Sequence, residues 1–280
     1  VSGVVHDAIE AVSGVIISSL NAKDVIRSVC ECWEAVVHSS DSHESRFSTD
    51  ELVWTVSMGR LRDRWHGVRE YPDLKKAKHL LRDLVGSENS TVHDDYSTVH
   101  TIPGIDYSTW TSVVIRRLVG LRLARTTEGK VCICNQSTQL GDIIAVLFGH
   151  DYPMLLRSSL EAARKHRVLS RCYMYGIMDA EVLLGPLPVN WEVKLSNTLR
   201  SGQPTRWMFS KDPFQSHYMH EHDPRLGLSP FPQHWERIDK EDEMRLSWEV
   251  INSDPRMLPD SLKARGVQIE NIYLIGAART

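Results

Sequence analysis

The stretch "LRLARTTEGKVCICNQSTQLGDIIAVLFGHDYPMLLR", residues 121–157, decides the fold. Short runs of branched and apolar residues alternate with the turn signals "TTEGK", "LGD" and "GHDYP". Turn residues at such close spacing mark antiparallel strands, because they reverse the chain before a helix can complete its turns. Strands are expected near 121–126, 130–134, 142–148 and 153–157, and "HRVLSRCYMY" adds another near 167–175. Five short strands joined by tight turns predict a small antiparallel barrel or curled sheet. The basic segment "RSSLEAARKHR" (157–167) reads as a solvated loop before the last of them.

Upstream the period changes. Residues 1–20 are dominated by valine and isoleucine and broken by glycine, which predicts a strand or an extended entry segment. From Asn21 apolar residues recur every three to four positions. Val25, Val29, Trp33 and Val36 give a helix over 22–38. Ser48 and Glu51 have capping-box spacing ahead of Leu52 and Val56. Pro72 opens a helix that carries Leu74, Leu80, Leu81 and Leu84, and Asp106 is placed to cap one holding Trp110, Val114 and Leu118. Downstream of Gly185 prolines punctuate the chain. A proline-started helix near 259–265 stops at Gly266, and a closing strand follows at 267–275. The expected fold is α+β: a mostly helical region, 1–120, packed on a β-rich, barrel-like region, 121–280, with a proline-rich segment and a closing strand.

Composition narrows the function classes. The 280 residues are 41% hydrophobic and 25% charged, in the range of a globular chain. With 33 basic and 36 acidic residues the net charge is −3, so no basic excess points to nucleic acid. The longest apolar runs, such as "IIAVLF" (143–148), fall far short of the roughly 20 residues of a spanning helix, so no membrane partner is expected. Five cysteines without framework spacing suit a reducing, cytoplasmic setting. Cys132 and Cys134 share one strand face, and Cys30 and Cys32 sit on different sides of a helix. Both pairs read as buried thiols rather than a zinc knuckle.

Several constellations carry chemistry-bearing residues. In "RCYMYGIMDAE" (171–181), Tyr173 and Tyr175 fall on one strand face, and Asp179 and Glu181 follow at once. A tyrosine beside a carboxylate can donate a proton to a bound carbonyl. The competing reading has the tyrosines filling a barrel while Asp179 caps the next turn. "HYMHEHDP" (217–224) brings His217, His220 and His222 next to Asp223, all metal-ligand types. No periodic element holds them rigid, so an exposed histidine loop is expected and no metal. "GRLRDRWHG" (59–67) clusters arginines with Trp65, suited to surface stacking and pairing, with a phosphate contact as the alternative. Nucleophile-elbow, Walker, dinucleotide-fingerprint and HExxH patterns do not occur, and no cofactor is expected.

The 121–157 stretch followed by "RVLSRCYMYGIMDAE" resembles the tail of fungal heterokaryon-incompatibility (HET-type) proteins. In that family an arginine-led strand and T-x-x-G turn precede a "GD-hydrophobic-LLG" segment, a "P-x-LLR" segment and a "CYVHGIMDGEA"-like segment. "GVVHDAI" near the start and "DPRMLPDSLKARGVQIENIYLI" near the end resemble the same family. Tyr175 stands where the family has histidine before the glycine, and Ala180 where it has a second glycine. The HET domain's own "LSYxWG"-like and "LWIDAICINQ"-like motifs are absent, although "ICNQ" (133–136) mimics part of the second. The resemblance implies a non-catalytic recognition or regulatory module in nonself response, with protein partners or a HET effector domain. The alternative is a HET-less relative acting on a small metabolite of fungal secondary metabolism, with Tyr175, Asp179 and the histidine loop as acid/base groups. A thinner likeness to a WW domain runs over 186–225, with Trp191 as its structural tryptophan. Glu221 occupies the ligand-gripping tryptophan position, so proline-rich peptides are not expected to bind.

Overall fold

In the computed structural model the chain opens on a long strand, β1 (Ser2–Val15), with a bulge or register shift at three points. Residues 1–19, 21–37, 49–66, 68–85, 107–159, 165–196, 206–211, 219–220, 223–227 and 254–275 are described. Four helices follow, α1 (Ala22–Val37), α2 (Thr49–Val56), α3 (Leu74–Val85) and α4 (Ser108–Leu118), with a two-residue strand β2 (Trp65–His66) between α2 and α3. Then come β3 (Leu121–Thr126), β4 (Val131–Asn135), β5 (Ile143–Leu147), β6 (Met154–Ser158), β7 (Lys165–Arg171) and β8 (Tyr173–Met174). After a short helix α5 (Glu181–Leu184) the chain forms β9 (Glu192–Ser196), β10 (Arg206–Ser210) and β11 (Met219–His220). Two 3₁₀ turns, Pro224–Leu226 and Pro255–Met257, precede α6 (Pro259–Ala264), β12 (Glu270–Asn271) and β13 (Tyr273–Ile275).

The described residues build a nine-stranded sheet in the order β13-β7-β6-β5-β1-β3-β4-β8, with β12 added to β1. β1 is its spine. Residues Gly3–Ala8 pair with β5, and Ile9–Val15 pair with β3. A strand that changes partner through bulges bends the sheet, and the curl follows from that bend. Gly3 permits one tight approach: a Cβ there would lie 2.6 Å from the Val146 carbonyl oxygen. A second sheet, β11-β10-β9-β2, includes the segment with the WW likeness.

Two cores lie on opposite faces of β3 and β4. Alternate residues of "VCICN" point opposite ways. Cys132 and Cys134 face the inside of the curl with Ile9, Ile144, Leu155 and Met174. Val131 and Ile133 face outward with Leu123, against Val25 and Val29 of α1, Val53 of α2 and Trp110 of α4. Burial of each such side chain contributes about 1.5–3 kcal/mol. The thiols therefore serve as small core side chains, and all five cysteines are free.

The α+β class and the curled sheet agree with the sequence reading, but three details differ. The opening strand expected over 1–20 lies inside the sheet, so the 1–120 region is not a purely helical part packed on it. The main sheet is mixed, not purely antiparallel, since β13 pairs parallel to β7, and the second sheet has the parallel pair β2 and β9. The single strand expected over 167–175 breaks at Cys172, whose N–H donates to the Pro153 carbonyl at 2.9 Å. β7 stays with β6, and β8 crosses to β4. "RCYMYG" is therefore a corner. Ser48 and Asp106, two of the helix signals in the first region, lie outside the described residues. The α4 N-cap is Tyr107, with no side-chain cap. No helix among the described residues is long and apolar enough to cross a membrane.

Candidate functional site

Past the corner, Gly176 turns the chain with φ +89°, and residues 177–180 lead into α5. Tyr173 pairs with Ile133 in the ladder and is buried. Its hydroxyl sits against Gly59, where a Cβ would lie only 2.9 Å away. Burial pushes that hydroxyl far above its ordinary range, so Tyr173 remains a proton carrier at neutral pH. Tyr175 is turned elsewhere. It is 41% exposed and stacks on Trp54, with centroids 5.6 Å apart and planes 18° from parallel. Its ring borders a shallow depression shared with Trp33, Glu51, Thr55, Lys130 and Val131. The expectation that both tyrosines share one face fails because β8 ends at Met174.

Asp179 meets Arg64, Oδ1 to guanidinium, at 2.5 Å. Burial raises its carboxyl to about 6, outweighing the attraction of Arg64 and Arg225, with the nearby Glu181 charge adding to the rise. Asp179 does not cap the following turn. Its own N–H donates to Glu181 Oε2 at 2.6 Å, and Ala180 is the N-cap of α5. Ala180 is in the left-handed region, φ 62° and ψ 21°, where a side chain is unfavourable. Asp179 and Tyr173 thus lie by Arg64, Glu181 is held beside Asp179, and Tyr175 faces the depression beside α2.

The 179–185 segment is held from outside by a residue the sequence reading did not single out. Arg225 donates to the Asp179 carbonyl at 2.8 Å and to the Gly185 carbonyl at 2.9 Å. Its guanidinium is fixed by Asp223, which also accepts from the Arg225 N–H at 2.9 Å. The same unit recurs at Asp254-Pro255-Arg256, where Arg256 donates to the Leu226 carbonyl at 2.7 Å. One D-P-R clamp grips the other, and the second grips the α5 segment. Proline presets φ, and the aspartate caps the 3₁₀ turn while orienting the arginine fork. The repeated triplet was the available signal.

The other motif residues are equally engaged. Asp7 accepts from the Thr127 hydroxyl, from Ala8 N–H at 2.7 Å and from Glu128 N–H at 3.1 Å, tying "GVVHDAI" to the T-x-x-G turn. Burial pushes its carboxyl up, but these bonds together with Thr126 outweigh burial and hold it below the usual value. Asp142 of "GD" pairs with Arg157 of "P-x-LLR".

His217 and His222 lie outside the described residues. His220 contributes backbone to β11, and its side chain also lies outside them. Asp223, the neighbouring carboxylate, is occupied by Arg225. Among the described residues no group of three histidine, cysteine or acidic side chains is placed to hold a metal ion. The chain matches no family model, no curated protein and no solved structure.

Proposed function

We propose that the chain is the C-terminal region of a fungal heterokaryon-incompatibility-type protein, where it acts as a non-catalytic recognition or regulatory scaffold in the cytoplasm. One observation carries this reading. The polar residues in the motifs behind the resemblance close contacts between separate elements of the chain: Asp7 with the 126–129 turn, Asp142 with Arg157, and Asp179 with Arg64. The left-handed backbone at Ala180, where the family pattern has glycine, is in keeping with it. The partner is a protein, with a HET effector domain as the first candidate. Calorimetric titration of the chain against such a domain, alongside a turnover screen of a fungal metabolite extract, tests the reading. Micromolar binding without turnover is expected; turnover lost in Asp179→Asn would overturn it.

A second reading, an enzyme acting on a small metabolite, draws on Asp179 alone. A carboxyl that titrates near 6 beside a protonated tyrosine has the makings of a general acid. Against it, Tyr173 is closed off by Gly59, and Tyr175 faces a different depression.

A further inference from the structure

A shallow depression of about 200 Å³ opens beside α2. Trp33 of α1, Glu51 and Thr55 of α2, Lys130 and Val131 where β4 begins, and Tyr175 past the β8 corner line it. Glu51 and Thr55 are one turn apart and share a helix face. The Lys130 carbonyl accepts from Thr126 N–H at 2.9 Å, which fixes the turn before β4. Trp54 stacks on Tyr175 without entering the lining, so it backs the ring from the other side. Trp33 and Trp54 also pack against the core shared by the four helices. The walls are therefore set before a ligand arrives.

Pockets that enclose a metabolite run from about 300 to 1,000 Å³. This one is smaller and open, which suits a single side chain standing out from a partner's surface. The Trp33 and Tyr175 ring faces attract a cation. An apolar side chain would desolvate the Glu51 carboxylate without pairing it, and an acidic one would meet a like charge. Arginine satisfies rings and carboxylate at once, because its planar guanidinium stacks on aromatic faces and pairs with a carboxylate as a fork. A carboxylate has about four lone-pair positions, so Glu51 takes the guanidinium without giving up other partners. Lys130 stands exposed at the rim, and its charge opposes an incoming cation.

We propose that this depression receives an arginine side chain presented by a protein partner, its guanidinium lying along the Trp33 and Tyr175 rings and pairing with Glu51. The proposal gives the partner of the scaffold reading a chemistry, and it rests on that reading for the source of the arginine. Arginine, tyrosine and tryptophan are also the residues in which interfaces concentrate their binding energy.

Tryptophan indole N–H signals of the full chain, followed by NMR during titration, test it. The probe is a blocked Gly-Gly-Arg-Gly-Gly peptide, and the same peptide with citrulline at its centre supplies an uncharged arm. Saturable shifts, the Trp33 signal among them, are expected with the arginine peptide. Affinity falls about threefold or more with the citrulline peptide and in Glu51→Gln, and is unchanged in Lys165→Gln on β7. It rises in Lys130→Gln, an exposed position whose variant folds and decides the sign even where Glu51→Gln does not fold. No saturable shift overturns the site, as does equal affinity for the citrulline peptide or weaker arginine binding in Lys130→Gln. A HET-type domain that fails to bind the chain sinks the scaffold reading and leaves the peptide result to decide the site. A domain that binds Glu51→Gln as tightly as the unmodified chain overturns the depression as its docking point.

Discussion

Arg157 holds Asp142 with two parallel bonds, Nε to Oδ1 at 2.8 Å and Nη2 to Oδ2 at 2.9 Å. The carboxylate is 2% exposed and also accepts from Gln139 N–H. A third bond, from Arg157 Nη2 to the Ser137 carbonyl at 2.7 Å, pins the β4–β5 turn to β6. Arg157→Met leaves a buried charge without its partner and should cost about 3–5 kcal/mol. Urea unfolding measures this, and a loss under 1 kcal/mol would show the pair to be incidental.

Ala180→Gly should stabilise the chain. The left-handed backbone at this position costs a residue with a side chain about 1–2 kcal/mol, and glycine escapes most of it at some cost in unfolded-state entropy. A net gain of about 1 kcal/mol is expected, read as a higher urea midpoint at constant slope. A lower midpoint would sink the argument.

Asp7 sets part of the acid limb of stability. Its carboxyl is held below the ordinary value in the folded chain, so its contribution is fully present above the unfolded-state pKa, near 4. That contribution disappears as pH falls from there through the lower folded value. Asp7→Asn should melt lower than the unmodified chain at pH 6, and the difference should shrink on acidification below pH 4. A constant difference across that range would contradict the assignment.

Asp179 has the opposite sign. Its folded pKa, about 6, lies above the unfolded one, so its contribution is complete below pH 4 and is lost as pH rises through 6. Relative to Asp179→Asn, the unmodified chain should lose on the order of 2–3 kcal/mol between pH 4 and pH 7. Melting curves across that interval read the difference, and a flat difference would mean that Arg64 holds the carboxylate ionised.

Arg225→Lys should not be conservative. A lysine cannot serve both carbonyls and the Asp223 carboxylate with one planar fork. The Arg225 side chain is 4% exposed, so at least one buried acceptor would lose its donor, at about 1–3 kcal/mol. Amide exchange within 181–185 should accelerate before global unfolding does. Unchanged exchange there would remove the clamp from the account.

Local chemistry made much of the sheet legible. The turns at Gly129, Gly141 and Gly149 all use positive φ, and β3, β4, β5 and β6 begin and end within two residues of the expected bounds. α1 and α6 followed from a 3.6-residue stripe and a proline start. What escaped was set by partners far away in sequence. The break at Cys172 exists because Pro153 takes its N–H while β8 joins β4. Arg225 reaches back 46 residues to Asp179, and Arg256 reaches back 30 to Leu226. Of the candidate site residues, Tyr173 and Asp179 lie by Arg64 and Glu181 bonds to Asp179, whereas the Tyr175 ring stacks on Trp54 because β8 ends at Met174. Arg64, the centre of the group, lies 115 residues from Asp179, and no periodicity could have linked the two.

β1 pairs through its length with strands that follow more than a hundred residues later. A chain emerging from the ribosome must therefore carry this β-branched ribbon, with both edges bare, until β3 and β5 have been made. Such late closure slows folding and exposes the nascent chain to wrong pairings, so production of this protein should be limited by chaperone supply at high synthesis rates.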